Sequence, residues 1–167
     1  LQEALPFGGI MDCLLVRQPY ASLIAFGKKR WEFRSYECKK LGEIAIAASP
    51  SNPLETLSKS LNDVSNFFPR GVILAIAEIK GSFYVTNHDL KTNLRGSINL
   101  NIHGYDITTA DEPLGEPLED IQSAIENKAW ESYAWLLDNI KPLKNPVAIE
   151  KTSLSTWVRI EDLEIGE

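Results

Sequence analysis

Cysteine is scarce in this chain, methionine scarcer, and long hydrophobic runs are missing altogether. Cys13 and Cys38 are the two cysteines among 167 residues, too few for the disulfide framework of a small secreted domain, so a reducing compartment is expected. No apolar stretch reaches the ~18 residues a membrane span requires, and the first residues lack the basic-then-apolar order of a signal peptide. The expectation is a soluble, cytoplasmic protein with no membrane contact. Several chemistries lack their motifs as well. His88 and His103 are the two histidines, and together with the cysteines they show neither CxxC nor HxxxH spacing, so no metal is expected. There is no GxxxxGK[ST] loop for a nucleoside triphosphate and no GxSxG elbow for a serine hydrolase. No cofactor is expected, and neither internal repeats nor low-complexity tracts stand out.

What is present is ordinary in bulk and uneven in detail. Apolar residues make up 44% and charged residues 24%, the balance of a globular domain. A chain of this length buries roughly 70% of its unfolded surface without staples, so one domain over residues 12–167 is expected. Residues 1–11 read as a leader or an extension, with the sole methionine, Met11, at their end. The net charge is -6, but residues 17 to 40 hold seven Lys/Arg against two acids, a local +5 against -11 for the remainder. Such asymmetry argues against a protein that coats nucleic acid over its whole surface and for a local anion site.

The periodicities outline the elements. "DCLLV" at 12–16 reads as a buried strand, and Gln18-Pro19 opens a short helix with proline at its first position, closed by Gly27. From Arg30 the period is two: Trp31 and Phe33 point one way, Arg30, Glu32 and Arg34 the other. "GEIAIAAS" at 42–49 is a strand. A helix with Leu54, Leu57, Leu61 and Val64 on one face follows. "GVILAIAEIKG" at 71–81 is apolar almost throughout, bounded by Gly71 and Gly81, and should be a central strand. Residues 87–117 read as loops with one weak strand in "SINLNI". "PLEDIQSAIENKAW" at 117–130 reads as a helix with acids first and Lys128 last. Strands are expected at 133–143, 145–150 and 155–163. Short strands interrupted by a few helices, without βαβ alternation, predict an α+β fold: a small, partly open β-barrel with flanking helices.

Within this frame, "CLLVRQPYASLIAFGKKRWEFRS" at residues 13–35 resembles the signature of the ASCH domain, a member of the PUA-like superfamily. The pattern is a strand, Gln-Pro-aromatic-Ala at a helix start, then Gly-x-Lys-x-x-Glu-x-Arg, here Gln18, Pro19, Tyr20, Ala21, then Gly27, Lys29, Glu32, Arg34. Gly42 with "EIAIAAS", Gly71 with "VILAIAEI", and "YAWLL" agree in order. Tyr20 stands where the family usually has tryptophan, and "KTSLST" replaces the Gly-rich stretch before the final tryptophan, Trp157. The resemblance implies a PUA-like barrel with a cleft between the Gln-Pro helix and the barrel, in a family proposed to bind RNA or other nucleic acids. Some short bacterial relatives hydrolyse acetylated cytidine with a Lys-x-x-Thr pattern. Lys29-x-x-Glu32 lacks that threonine.

The ligand contacts expected are Arg17, Gln18, Pro19, Tyr20, Ser22, Lys29, Glu32, Arg34, Ser35 and Trp135. Arg17, Lys29 and Arg34 would meet anionic groups, Glu32 would read a base or orient Arg34, and Tyr20, Trp135 and Trp157 would stack. Each has a plainer role: a turn lysine, a surface ion pair contributing about 0–1 kcal/mol, a core tryptophan. The partner expected is RNA, another nucleic acid or a modified nucleoside. Two alternatives stand beside binding. One is a small hydrolase acting on a nucleoside amide or RNA, with Lys29 and Glu32 as catalytic groups; the other is a protein-interaction module using "WESYAWLL" or the acidic surface.

Overall fold

The computed structural model describes residues 9–51, 68–95, 99–102, 105–108, 123–149, 156–161 and 163. Nine strands and two short helices, with a further helical turn at 123–126, fall within them. They are β1 (Ile10–Val16), α1 (Tyr20–Ala25), β2 (Trp31–Arg34), β3 (Gly42–Ala48), β4 (Val72–Thr86), α2 (Asn87–Asn93), β5 (Leu94–Arg95), β6 (Asn99–Ile102), β7 (Tyr105–Thr108), β8 (Glu131–Ala148) and β9 (Trp157–Glu161). Six strands form one mixed sheet in the order β2-β8-β4-β3-β1-β9, and β5-β6-β7 form a second, smaller one. β1 runs parallel to β3 and antiparallel to β9, while β2 runs antiparallel to β8. The larger sheet is open, with β2 and β9 at its edges, which is the α+β, PUA-like fold expected. None of the described helices is long and apolar enough to cross a membrane.

Two compact units divide the chain, the first made of residues 1–26, 42–78 and 139–167, the second of 27–41 and 79–138. β4 and β8 each contribute a stretch to both. In the first unit, Cys13, Leu15, Ala45, Ala47, Ile73, Ile76, Leu143, Val158 and Leu163 form the core. The runs "CLLV" and "IAIAA" bury both faces of their strands, which is why they are apolar without alternation. In the second unit, Trp31, Val85, Leu90, Ala124, Ala134 and Leu136 form the core, with Phe33, Phe83, Ile125 and Trp130 against it.

Several elements differ from the sequence expectation for identifiable reasons. β1 begins at Ile10, because Ile10 and Met11 pair with Glu161 and Ile160, so the strand takes in the end of the expected extension. β4 does not stop at Gly81. A Cβ there would lie 2.8 Å from the Phe83 ring, so the glycine makes room for that ring within a continuous strand. The strands expected at 133–143 and 145–150 are one long strand, β8, in which Asn139 takes a positive φ of 48°. Residues 87–93, expected as loop, form α2: Thr86 Oγ1 accepts from the Asp89 N–H at 3.3 Å while Asp89 Oδ2 accepts from the Thr86 N–H at 2.8 Å, a reciprocal capping box. "SINLNI" does contain a strand, β6, joined by β5 and β7. The helix expected around Leu54–Val64 lies outside the described residues, as do residues 117–122 of the one expected at 117–130; of its remainder, residues 123–126 are helical and 127–130 are not.

Candidate functional site

The expected site residues fall into two groups, one in each unit. In the first unit the Gln-Pro segment starts α1 by an unusual device. Pro19 is the N-cap and carries no side-chain acceptor, so the orphan N–H groups of the first turn must look elsewhere. Gln18 supplies what is missing. Its Oε1 accepts from the Ser22 N–H at 3.0 Å, and its Nε2 donates to Ser22 Oγ at 2.9 Å and to the Pro69 carbonyl at 2.7 Å. Gln18 is fully buried and Ser22 nearly so. The amide therefore does the work of a capping Ser or Asp while tying the helix start to the segment before β4. Pro19 and Tyr20 are buried as well, and Arg17 alone of this group is exposed. Gly27, with φ of 76°, occupies the left-handed conformation expected at a helix end.

In the second unit, alternation along β2 separates two faces. Trp31 and Phe33 enter the core, opposite Leu136 and Ala134 of β8. Glu32 and Arg34 occupy the other face, opposite Trp135 and Tyr133. Glu32 is 6% exposed, an unusual depth for a carboxylate. Its Oε2 lies 3.6 Å from the Arg34 guanidinium, close enough for charge attraction and too far for a hydrogen bond. That oxygen is buried and has no hydrogen-bond partner among the described residues. Arg34 also lies 5.8 Å from the Trp135 ring centroid.

Trp135 is fully buried. Its indole N–H donates to the Tyr36 carbonyl at 3.2 Å, and the Tyr36 ring packs edge-on at 5.4 Å. Trp135 is thus a wall beneath the Glu32–Arg34 pair rather than an open stacking face. Ser132 donates to the Arg34 carbonyl at 3.0 Å, and Ser82 accepts from the Cys38 N–H at 3.0 Å. The segment after β2 is held to β8 and β4 by these bonds. Ser35 within it is exposed, and Trp157 of the first unit is half-buried.

The basic cluster that the sequence singles out is dispersed into separate tasks. Arg30 donates to Asp138 at 2.5 Å. Lys29 is fully buried, with its ammonium 5.9 Å from the Phe33 ring. The structure therefore brings Glu32, Arg34 and Trp135 together, while Lys29 packs near the Phe33 ring. Burial pushes the Cys13 thiol up to about 12, and also raises that of Cys38, against the opposing pull of Lys40. Both thiols are unbridged.

A family model of the ASCH domain matches residues 14–146. The chain belongs to the ASCH domain family. The match takes in α1, β2 with Glu32 and Arg34, and most of β8. A crystal structure of a tyrosine-to-phenylalanine mutant of ZmASCH from Zymomonas mobilis is similar over 89% of this chain and 89% of its own, at 16% identity and a TM-score of 0.52. The Zymomonas mobilis ASCH structure without a mutation is similar over 84% of this chain and 74% of its own, at 13% identity and a TM-score of 0.46. At such identities the first likeness speaks for the ASCH fold alone. No curated protein matches the chain.

The residues that sequence reasoning missed lie on the same face of this ASCH domain. Tyr84 of β4 is 48% exposed and packs against Tyr133 with ring centroids 5.6 Å apart. Its hydroxyl donates to the Glu131 carboxylate, and that hydrogen bond pushes the phenol above its ordinary range. The signal was available: the period of two of a strand through "GSFYVT" places Tyr84 on one face and Phe83 and Val85 on the other.

Proposed function

We propose that this ASCH domain binds single-stranded nucleic acid, RNA foremost, or a modified nucleoside, through the face of the second unit that carries Glu32 and Arg34. The buried Glu32 carboxylate carries the reading. A charge at that depth is costly unless its oxygens are hydrogen-bonded, and Oε2 has attraction from Arg34 without a hydrogen bond. A ligand N–H would complete it. Exocyclic amino groups and ring N–H groups of nucleobases are donors of that kind, while the Arg34 fork matches a phosphate. Family membership supports the nucleic-acid class. What favours binding over a hydrolase built on Lys29 and Glu32 is that the cation beside the Glu32 carboxylate is Arg34.

The test is fluorescence anisotropy with fluorescein-labelled eight-nucleotide RNA and DNA single strands at two salt concentrations. Binding that weakens as salt rises is expected, with Arg34→Ala reducing the salt slope by about one phosphate. Glu32→Gln removes the carboxylate charge at nearly constant shape and should weaken binding of amino-bearing bases most. Mass spectrometry of the same mixtures reports chemistry: altered oligonucleotides, lost with Lys29→Ala, would favour the hydrolase. No binding by the folded wild type would refute the proposal.

A further inference from the structure

The face that carries Glu32 and Arg34 continues across three strands. β2, β8 and β4 are neighbours in the sheet. Arg34 of β2 is in register with Tyr133 of β8, and Tyr133 packs against Tyr84 of β4. The result is a transverse row, guanidinium then ring then ring, in the second unit. Both tyrosines lie on the face opposite the core, since Phe83, Ala134 and Leu136, their chain neighbours or near neighbours, pack inward. Tyr84 is 48% exposed and Tyr133 half-buried. A structural role for these rings would be served by burial, yet the outer one stands in solvent with its hydroxyl fixed by Glu131. That bond holds the ring in one orientation before any ligand arrives, which lowers the ordering cost of binding.

We infer that Arg34, Tyr133 and Tyr84 form a stacking platform for two successive bases of a single-stranded polynucleotide, extending the Glu32–Arg34 site across the sheet. The inference rests on the binding reading above and adds the direction of the strand. Charge sets the direction. Arg34 puts a guanidinium on this face at β2, so the phosphates lie along the β2 edge. At the β4 side the charged neighbour is Glu131, whose carboxylate has lone pairs beyond the one Tyr84 uses. Base edges bearing amino groups fit there and phosphates do not. Each ring offers its π-face to one base, a mode that tolerates any sequence, while Glu32 and Glu131 select for amino-bearing bases. The rings are inclined at 60° to each other, so the two bases are splayed rather than stacked as in a duplex. The platform therefore takes a single strand and rejects a double helix.

The experiment uses the whole chain and three probes: the fluorescein-labelled eight-nucleotide RNA, its DNA counterpart and the RNA annealed to its complement. Tyr84→Ala and Tyr133→Ala are expected to weaken single-strand binding by about 5- to 150-fold each, from the usual contribution of one base-aromatic stack. Tyr84→Phe keeps the ring and should stay within about threefold of wild type on the same scale. Circular dichroism and thermal melts check that each variant is folded; Tyr84, being exposed, tolerates truncation. If Tyr84→Ala and Tyr133→Ala both bind as the wild type while Glu32→Gln and Arg34→Ala do not, the platform is refuted and the binding site stands. If the tyrosine variants lose binding and Glu32→Gln does not, the platform stands and the role given to Glu32 falls. Duplex binding as tight as single-strand binding overturns the platform, and absence of binding to every probe overturns both.

Discussion

Replacing Gln18 by alanine separates a structural role for the Gln-Pro motif from a ligand-binding one. The side chain makes three hydrogen bonds, one accepted and two donated. Their loss is not uniform. Pro69 is exposed, so water can satisfy its carbonyl, and the Ser22 hydroxyl can turn to a carbonyl of the preceding helical turn. The Ser22 N–H has no such recourse, and a buried donor left without a partner costs about 1–3 kcal/mol. Loss of one buried methylene adds about 0.8 kcal/mol. The total is about 3 kcal/mol, which for a chain of this size corresponds to a fall in Tm of about 6–12 °C. Thermal and urea unfolding followed by circular dichroism measures it. Gln18→Leu refills the space without the hydrogen bonds and should recover about 1 kcal/mol of the loss. If Gln18→Ala unfolds within 1 kcal/mol of the wild type while nucleic-acid binding disappears, Gln18 is a ligand contact and the capping argument is wrong.

Three further outcomes are expected. Because burial holds the Cys13 thiol neutral up to about pH 12 while an unfolded thiol ionises near its ordinary value of 9.0, its contribution to stability is complete below pH 9 and is lost as pH rises from 9 towards 12; urea midpoints that do not fall across that window, or that fall equally in Cys13→Ala, would refute this. Thr86→Ala removes one half of the capping box at α2 and should cost about 1 kcal/mol in urea unfolding, whereas Thr86→Ser should cost less. Gly27→Ala meets open space but forces a Cβ onto a φ of 76°, so a loss of about 1 kcal/mol or more is expected, and an unchanged melting curve would show that the turn relaxes.

Much of the fold was legible because hydrophobic period is a local property. "CLLV", "EIAIAA" and "VILAIAEI" are strands because apolar, β-branched-rich runs bounded by turn residues have few other uses. The alternation of "RWEFR" assigns Trp31 and Phe33 to the core and Glu32 and Arg34 to the opposite face. The capping box at Thr86 and Asp89 was equally local, and its oversight turned a helix into a loop. Gly81 misled for a different reason: a glycine reads as punctuation, and only the position of the Phe83 ring shows that it is there for space.

Sequence alone thus determined the family, the α+β class and the residues that populate each face of β2, since spacing along a chain fixes side-chain direction. It did not determine which basic residue has which task. Arg30 meets Asp138 and Arg34 meets Glu32, while Lys29 turns to Phe33, although the lysine and both arginines stand within six positions of one another. Nor could it reveal that Gln18 caps a helix whose proline cannot, or that Trp135 is sealed while Tyr84 is open. Those outcomes depend on partners far along the chain, brought close by strand pairing, and exposure is a property of the packed neighbours rather than of the residue itself.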